Sequence, residues 1–225
     1  MTEPRFTDRR DAGRRLADHL VGYRDLPDAI VLALPRGGVP VAAEVARAIR
    51  VPLDVLVARK VGVPGHPELA MGAIASIGGV LETVTNDDVL AQLQHGEGTK
   101  DSFAEVVEQE TAELARRQTA YRGDLPAVPV TGRTVILVDD GLATGATMRA
   151  AIAALRQEGP ARVTVAVPVG SPSTCDEIRD LVDELVCLYA PQQFWAVGQV
   201  YDDFGQTSDE EVRRILAEFT DSDED

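Results

Sequence analysis

Val135-Ile136-Leu137-Val138-Asp139-Asp140-Gly141-Leu142-Ala143-Thr144-Gly145-Ala146-Thr147 is the stretch from which the rest of the chain is read. An apolar run over 134–138 has the composition of a core strand. It ends abruptly in two carboxylates, and a glycine-rich turn leads into a helix expected over 146–158. In an open parallel sheet, ligands bind beyond the carboxyl ends of the strands, and Asp139 and Asp140 sit at such an end. Carboxylates there are costly unless something polar or cationic meets them. Glycines let successive backbone N–H groups converge at a helix N-terminus, where an anion is favoured. Thr144 and Thr147 add hydroxyl donors. The segment therefore offers acceptors for sugar hydroxyls and donors for a phosphate. A Walker A loop is excluded because no lysine follows the turn, and no GxGxxG follows the first strand.

Outward from that segment, strands alternate with helices, the pattern of a parallel sheet covered on both faces. Residues 29–34 form a continuous apolar run, as a strand buried on both faces requires. The run stops at Pro35-Arg36-Gly37-Gly38, and a helix starts near Pro40. Further strands are expected at 53–58, 162–169 and 184–189, and helices at 9–22, 99–121, 172–184 and 208–219. The Gly/Pro-rich residues 61–70 predict a loop, and 71–85 a hairpin about Gly78-Gly79. Residues 190–206 are irregular and rich in aromatics. The reading is a single α/β domain over 1–225 with about five parallel strands. A loop-and-hairpin insertion occupies 59–85, a small hood 190–206, and a frayed acidic tail 221–225.

The chain of 225 residues carries a net charge of −15, which disfavours nucleic acid as a partner. No apolar run has membrane-spanning length. The charged N-terminal stretch lacks a signal-peptide core, so a cytoplasmic protein is expected. Cys175 and Cys187 show no CxxC spacing and read as buried thiols rather than a zinc site or disulfide.

The segment 135–147 resembles the 5-phosphoribosyl-1-pyrophosphate (PRPP) signature of type I phosphoribosyltransferases, and the element order resembles that fold over nearly the whole chain. By this resemblance Asp139 and Asp140 hold the ribose hydroxyls and contact Mg²⁺, the one cofactor implied. Gly141, Ala143, Thr144, Gly145, Ala146 and Thr147 wrap the 5′-phosphate. Arg36, Gly37 and Gly38 stand where the family places its pyrophosphate loop, with Arg59 and Lys60 at the next strand end. Residues 61–70 resemble the family's mobile loop, in which Glu68 is the candidate acid–base group and His66 a lesser one. The implied reaction moves the phosphoribosyl group of PRPP to a nucleobase-like acceptor and releases pyrophosphate. The alternative is a sensor of PRPP or nucleotide without turnover. Ala143 occupies the position where the 6-oxopurine branch has an aspartate, and no lysine follows Lys100, so hypoxanthine and guanine are not the expected acceptors. Half of the chain's aromatic residues fall within 189–204. From these, Tyr201 and Phe204 are the candidates for stacking on a base. A homodimer is common for this fold.

Overall fold

The period-two alternation of a strand, applied to runs that are apolar at every position, demands cover on both faces. The computed structural model describes residues 5–63, 66–77, 80–85, 99–122 and 128–220 and supplies that cover. Strands β1 (Ala29–Ala33), β2 (Leu53–Val55), β6 (Thr134–Val138), β7 (Arg162–Val169) and β8 (Glu184–Tyr189) form one parallel sheet in the order β2-β1-β6-β7-β8. Val31, Ala33, Ile136 and Val138 point to one face. There they pack with helices α1 (Arg9–Ala17), α2 (Gly38–Ile49), α3 (Thr99–Arg122) and α6 (Asp209–Thr220). Ile30, Leu32, Val135 and Leu137 point to the other, against α4 (Ala146–Gln157) and α5 (Pro172–Arg179).

Two helices are shorter than their apolar spacing suggests. The first stops at Asp18 and gives way to a 3-10 turn at Val21–Tyr23, and α5 stops at Asp180. The strand expected over 53–58 is divided. After Val55 the Leu56 N–H still donates to the Ala33 carbonyl, and there the chain leaves the parallel sheet. It continues into a separate antiparallel sheet of β3 (Val57–Val63), β4 (His66–Ile77) and β5 (Val80–Thr85), which lies against α3 and α4. The loop expected over 61–70 is therefore replaced by strand on either side of 64–65. Val61 pairs with Gly72, Gly62 with Ala70 and Val63 with His66, with register shifts between them. Gly62 is accommodated by this irregular pairing. The hairpin expected over 71–85 corresponds to β4–β5, with Ile77 opposite Val80. Its Gly78-Gly79 turn and the tail 221–225 lie outside the described residues.

A third, small cluster involves the segment 190–206 that is expected to form a hood. Phe6, Ala12, Val169, Val200 and Tyr201 pack together, and the Phe6 backbone exchanges hydrogen bonds with Val200 and Asp202. Residues 6–7 and 200–203 are thus joined. Among the described residues, no helix is long and apolar enough to cross a membrane.

Candidate functional site

The strand order reverses direction between β1 and β6. From β1 the chain steps outward to β2, and from β6 it steps the other way to β7 and β8. Such a switch point opens a crevice at the carboxyl ends of the two central strands. Pro35-Arg36-Gly37-Gly38 follows β1, and Asp139-Asp140 follows β6. Both loops singled out in the sequence therefore meet at this crevice.

Their approach is tight enough to require glycine. A Cβ on Gly37 would fall on the Asp140 carboxylate, and one on Gly38 would lie 2.8 Å from the Val138 carbonyl oxygen and 2.9 Å from the Asp139 Cα. The Leu34 N–H donates to the Val138 carbonyl at 2.9 Å and clamps the loops together at their base. The Pro35–Arg36 peptide is cis. Helix α2 starts directly after this loop without a side-chain cap, and so does α4 after the second loop. Two helix starts rich in backbone N–H donors thus adjoin one crevice.

The bend after the acids is held from behind and open in front. Leu142 forms an isolated bridge with Gly170; its N–H donates to the Val169 carbonyl, and its carbonyl accepts from Ser171. The Thr174 hydroxyl donates to the Ala143 carbonyl at 2.7 Å. Gly145 sits at φ 69°, the left-handed region, and closes the turn as the N-cap of α4. Ala143, Thr144 and Thr147 are exposed. These three positions are open to solvent among the described residues.

Electrostatically the acids are under strain. The Asp140 N–H donates to the Asp139 Oδ1 at 2.8 Å. Burial and the neighbouring Asp140 charge push the Asp139 carboxyl well above the ordinary carboxylate range, against the pull of that N–H and of Arg9. Burial also raises Asp140, opposed by Arg9. Among the described residues the two adjacent acids share the Arg9 guanidinium, which leaves a negative potential that hydroxyl donors or a cation would relieve.

Arg9 escapes sequence reading. Its Nε donates to the Asp140 Oδ2 at 2.8 Å, its Nη1 donates to the Gly205 carbonyl at 2.7 Å, and its guanidinium lies 3.9 Å from the centre of the Phe204 ring. It joins the first helix, the acid pair and the hood. Beside it a cavity of about 240 Å³ is lined by Asp8, Arg9, Arg10, Pro40, Asp203, Gly205, Gln206, Thr207 and Glu211. Thr174 also escapes the sequence reading, because a buried threonine on a later helix carries no local signal of its distant partner.

Other expected site residues lie differently. Arg36 is on the predicted loop, but its Nη1 approaches the Asp209 Oδ1 at 3.4 Å at the start of α6. Arg59 and Lys60 do not end a strand of the parallel sheet. They lie within β3, opposite Ile74 and Ala73, and Arg59 is ion-paired with Glu110 of α3. The side chains of Lys60, His66 and Glu68 lie outside the described residues. Tyr201 does not offer a free face to a base. It is 3% exposed, packed on Phe6 and Phe204, with its hydroxyl donating to the Asp140 carbonyl at 2.6 Å. It supports the acid pair from beneath. Phe204 remains partly exposed but is engaged by Tyr201 and Arg9.

The chain is a doubly wound α/β fold in which the loops after β1 and β6 abut at the switch point. Residues 7–204 match the phosphoribosyl transferase domain family, and the chain belongs to that family. Two proteins of Mycobacterium tuberculosis, MT0597 and Rv0571c, carry names that assign them only provisionally as phosphoribosyl transferases. Each is 46% identical over 211 residues, which make up 94% of this chain and 46% of theirs. The chain thus spans about half the length of these curated relatives. The crystal structure of TT1426 from Thermus thermophilus superposes with a TM-score of 0.83 at 44% identity, covering 96% of this chain and 99% of that one.

Proposed function

We propose that this domain binds PRPP and transfers its 5-phosphoribosyl group to a nucleobase-like acceptor, releasing pyrophosphate. The observation that carries the reading is the abutment of Gly37-Gly38 on Asp139-Asp140 at the β1–β6 switch point. That contact brings an acceptor pair for ribose hydroxyls within reach of two donor-rich helix starts. The bend 143–147 takes the 5′-phosphate through backbone N–H groups and the exposed Thr144 and Thr147 hydroxyls. The loop 36–38 takes the pyrophosphate, with Arg36 as counter-charge. Asp139 and Asp140 accept from the ribose hydroxyls and fix the ring while the bond at C1 lengthens. Catalysis then rests on positioning and charge compensation.

Mg²⁺ fits this donor set in a limited sense. Among the described residues no group of three or more potential ligands forms a cage, and Mg²⁺ commonly relies on substrate oxygens, water and one or two carboxylates. Asp139 and Asp140 are the residues that would adjoin it. Mg²⁺ bound there with PRPP would supply positive charge against the leaving pyrophosphate. The acceptor is assigned to the cavity beside Arg9, whose polar lining suits a heterocycle bearing several hydrogen-bonding groups.

A sensing role without turnover is the second reading. Its support is that Arg36 and Arg59 are already committed to Asp209 and Glu110. Pyrophosphate release with PRPP, Mg²⁺ and a panel of heterocyclic bases separates the two. Release with one base, abolished in the Asp139→Asn/Asp140→Asn variant, establishes transfer. A PRPP-dependent thermal shift with no release from any base establishes sensing. Absence of both the shift and the release refutes the site.

A further inference from the structure

The two cysteines lie 12 residues apart on different elements, yet the Sγ atoms of Cys175 in α5 and Cys187 in β8 are 3.6 Å apart. Gly170 makes this meeting possible. A Cβ there would stand 2.5 Å from the Cys175 Sγ and 3.5 Å from the Cys187 Sγ, so its bare backbone leaves room for both sulfurs. Both thiols are free. Closing to bonding distance takes roughly 1.5 Å of movement, within the reach of side-chain rotation and a small shift of a short helix.

We infer that Cys175 and Cys187 form a reversible intramolecular disulfide, a modification site set directly behind the phosphate-binding bend. The hydrogen bond with Cys187 holds the Cys175 thiol below its usual range, whereas that bond and burial push the Cys187 thiol up, so Cys175 is the thiol oxidised by a peroxide that enters past the partly exposed Cys187. An S–O bond forms on Cys175 as the O–O bond of hydrogen peroxide breaks, and one water leaves. The Cys187 sulfur then attacks the Cys175 sulfur. The S–S bond forms, the S–O bond breaks, and a second water leaves with the Cys187 proton. Two thiols give up two electrons and two protons, and one peroxide becomes two waters.

The consequence for the bend follows from Thr174, the neighbour of Cys175, whose hydroxyl holds the Ala143 carbonyl. Leu142 is bridged to Gly170, beneath the same two sulfurs. Drawing α5 toward β8 pulls Thr174 off Ala143 and loosens the bend. Oxidation therefore weakens PRPP binding by about fivefold or more. This second effect rests on the phosphoribosyl reading, whereas the disulfide itself does not.

The test treats the full chain with hydrogen peroxide, then measures intact mass and free thiols after denaturation. The expected result is a mass lower by two hydrogens, both thiols lost, a cross-linked peptide joining residues 175 and 187, and full reversal by dithiothreitol. Cys175→Ser and Cys187→Ser each abolish the two-hydrogen loss, and either variant suffices if the other fails to fold. Retention of both thiols, addition of oxygen alone, or a disulfide only between chains overturns the inference. PRPP affinity is then compared between the reduced and oxidised chain. Equal affinities overturn the coupling to the bend. Absence of binding in both states refutes the phosphoribosyl reading and leaves the disulfide judged on mass alone.

Discussion

Replacing Arg9 with methionine keeps most of the side-chain volume and removes the cation beside Asp140. Both partners are largely buried, with side-chain exposures of 12% and 15%, so little of the interaction is screened by solvent. A hydrogen bond to a charged group contributes about 1.5–3 kcal/mol net, and the exposed bond to the Gly205 carbonyl about 0.5–1 kcal/mol. The Asp140 carboxyl left behind is already raised by burial. It takes up a proton rather than bearing the full cost of an unpaired charge, which caps the loss at roughly 2–3 kcal/mol. For a chain of this size that is a fall in Tm of about 5–10 °C. The sign of the pH dependence follows from linkage. A carboxyl whose folded pKa lies above its unfolded value holds a proton in the folded state that the unfolded chain lacks over the interval between the two. Stability then falls as pH rises through that interval and is regained as pH drops toward about 3.9. Losing Arg9 raises the folded pKa of Asp140 further, so the deficit of Arg9→Met must be larger at pH 8 than at pH 5. Melting curves by circular dichroism at the two pH values provide the assay, with Asp140→Asn added in the Arg9→Met background to remove the orphaned charge and recover stability. Equal deficits at both pH values, or a double variant that loses as much again, would refute the argument.

Asp139→Asn removes a charge that burial and Asp140 disfavour, so the unliganded variant melts higher than the parent above pH 7 while losing the PRPP-dependent shift; a lower melting point with the shift intact contradicts the electrostatic account. Gly38→Ala sets a methyl group against two backbone atoms that cannot yield, the Val138 oxygen and the Asp139 Cα. It should cost about 1–3 kcal/mol in urea denaturation and abolish PRPP binding in a thermal-shift titration. Arg122→Met removes the cation from Asp54, to which Arg122 donates hydrogen bonds of 2.9 and 2.6 Å with both side chains under 10% exposed, and leaves that carboxylate its bonds from the Val55 and Val128 N–H groups. A loss of about 3–5 kcal/mol is expected, measured by urea denaturation and far from the crevice.

The parallel sheet and its two loops are legible in the sequence because their signals are local. Apolar runs such as 29–34 and 134–138 have one structural use, and the residues that end them fall at the strand tips automatically. The antiparallel sheet is partly hidden, since Gly62, Gly65 and the prolines around them read as a loop, and pairing with Ala70 and Gly72 is a tertiary fact. Sequence misplaces Arg59 and Lys60 for the same reason, as nothing local marks where the chain leaves one sheet for another. Tyr201 reads as a stacking surface because an aromatic beside acids has two uses. Packing against Phe6, 195 positions earlier, decides between them. Arg9 carries no signal at all. Its partners Asp140 and Gly205 are 131 and 196 positions away, and an arginine in a basic first helix resembles any solvated charge.

The hood is stitched from Phe6 and Thr7 on one side and residues 200–203 on the other, with Arg9 and Gly205 closing the seam. During synthesis the acids and the bend emerge well before the strip that covers them, while the cation they need has been waiting since the ninth residue. The crevice is therefore completed only when residues 200–205 reach residues 6–9. A nascent domain halted at α5 would own both loops of the crevice and still lack the residues around Gly205 that hold Arg9 beside the acids.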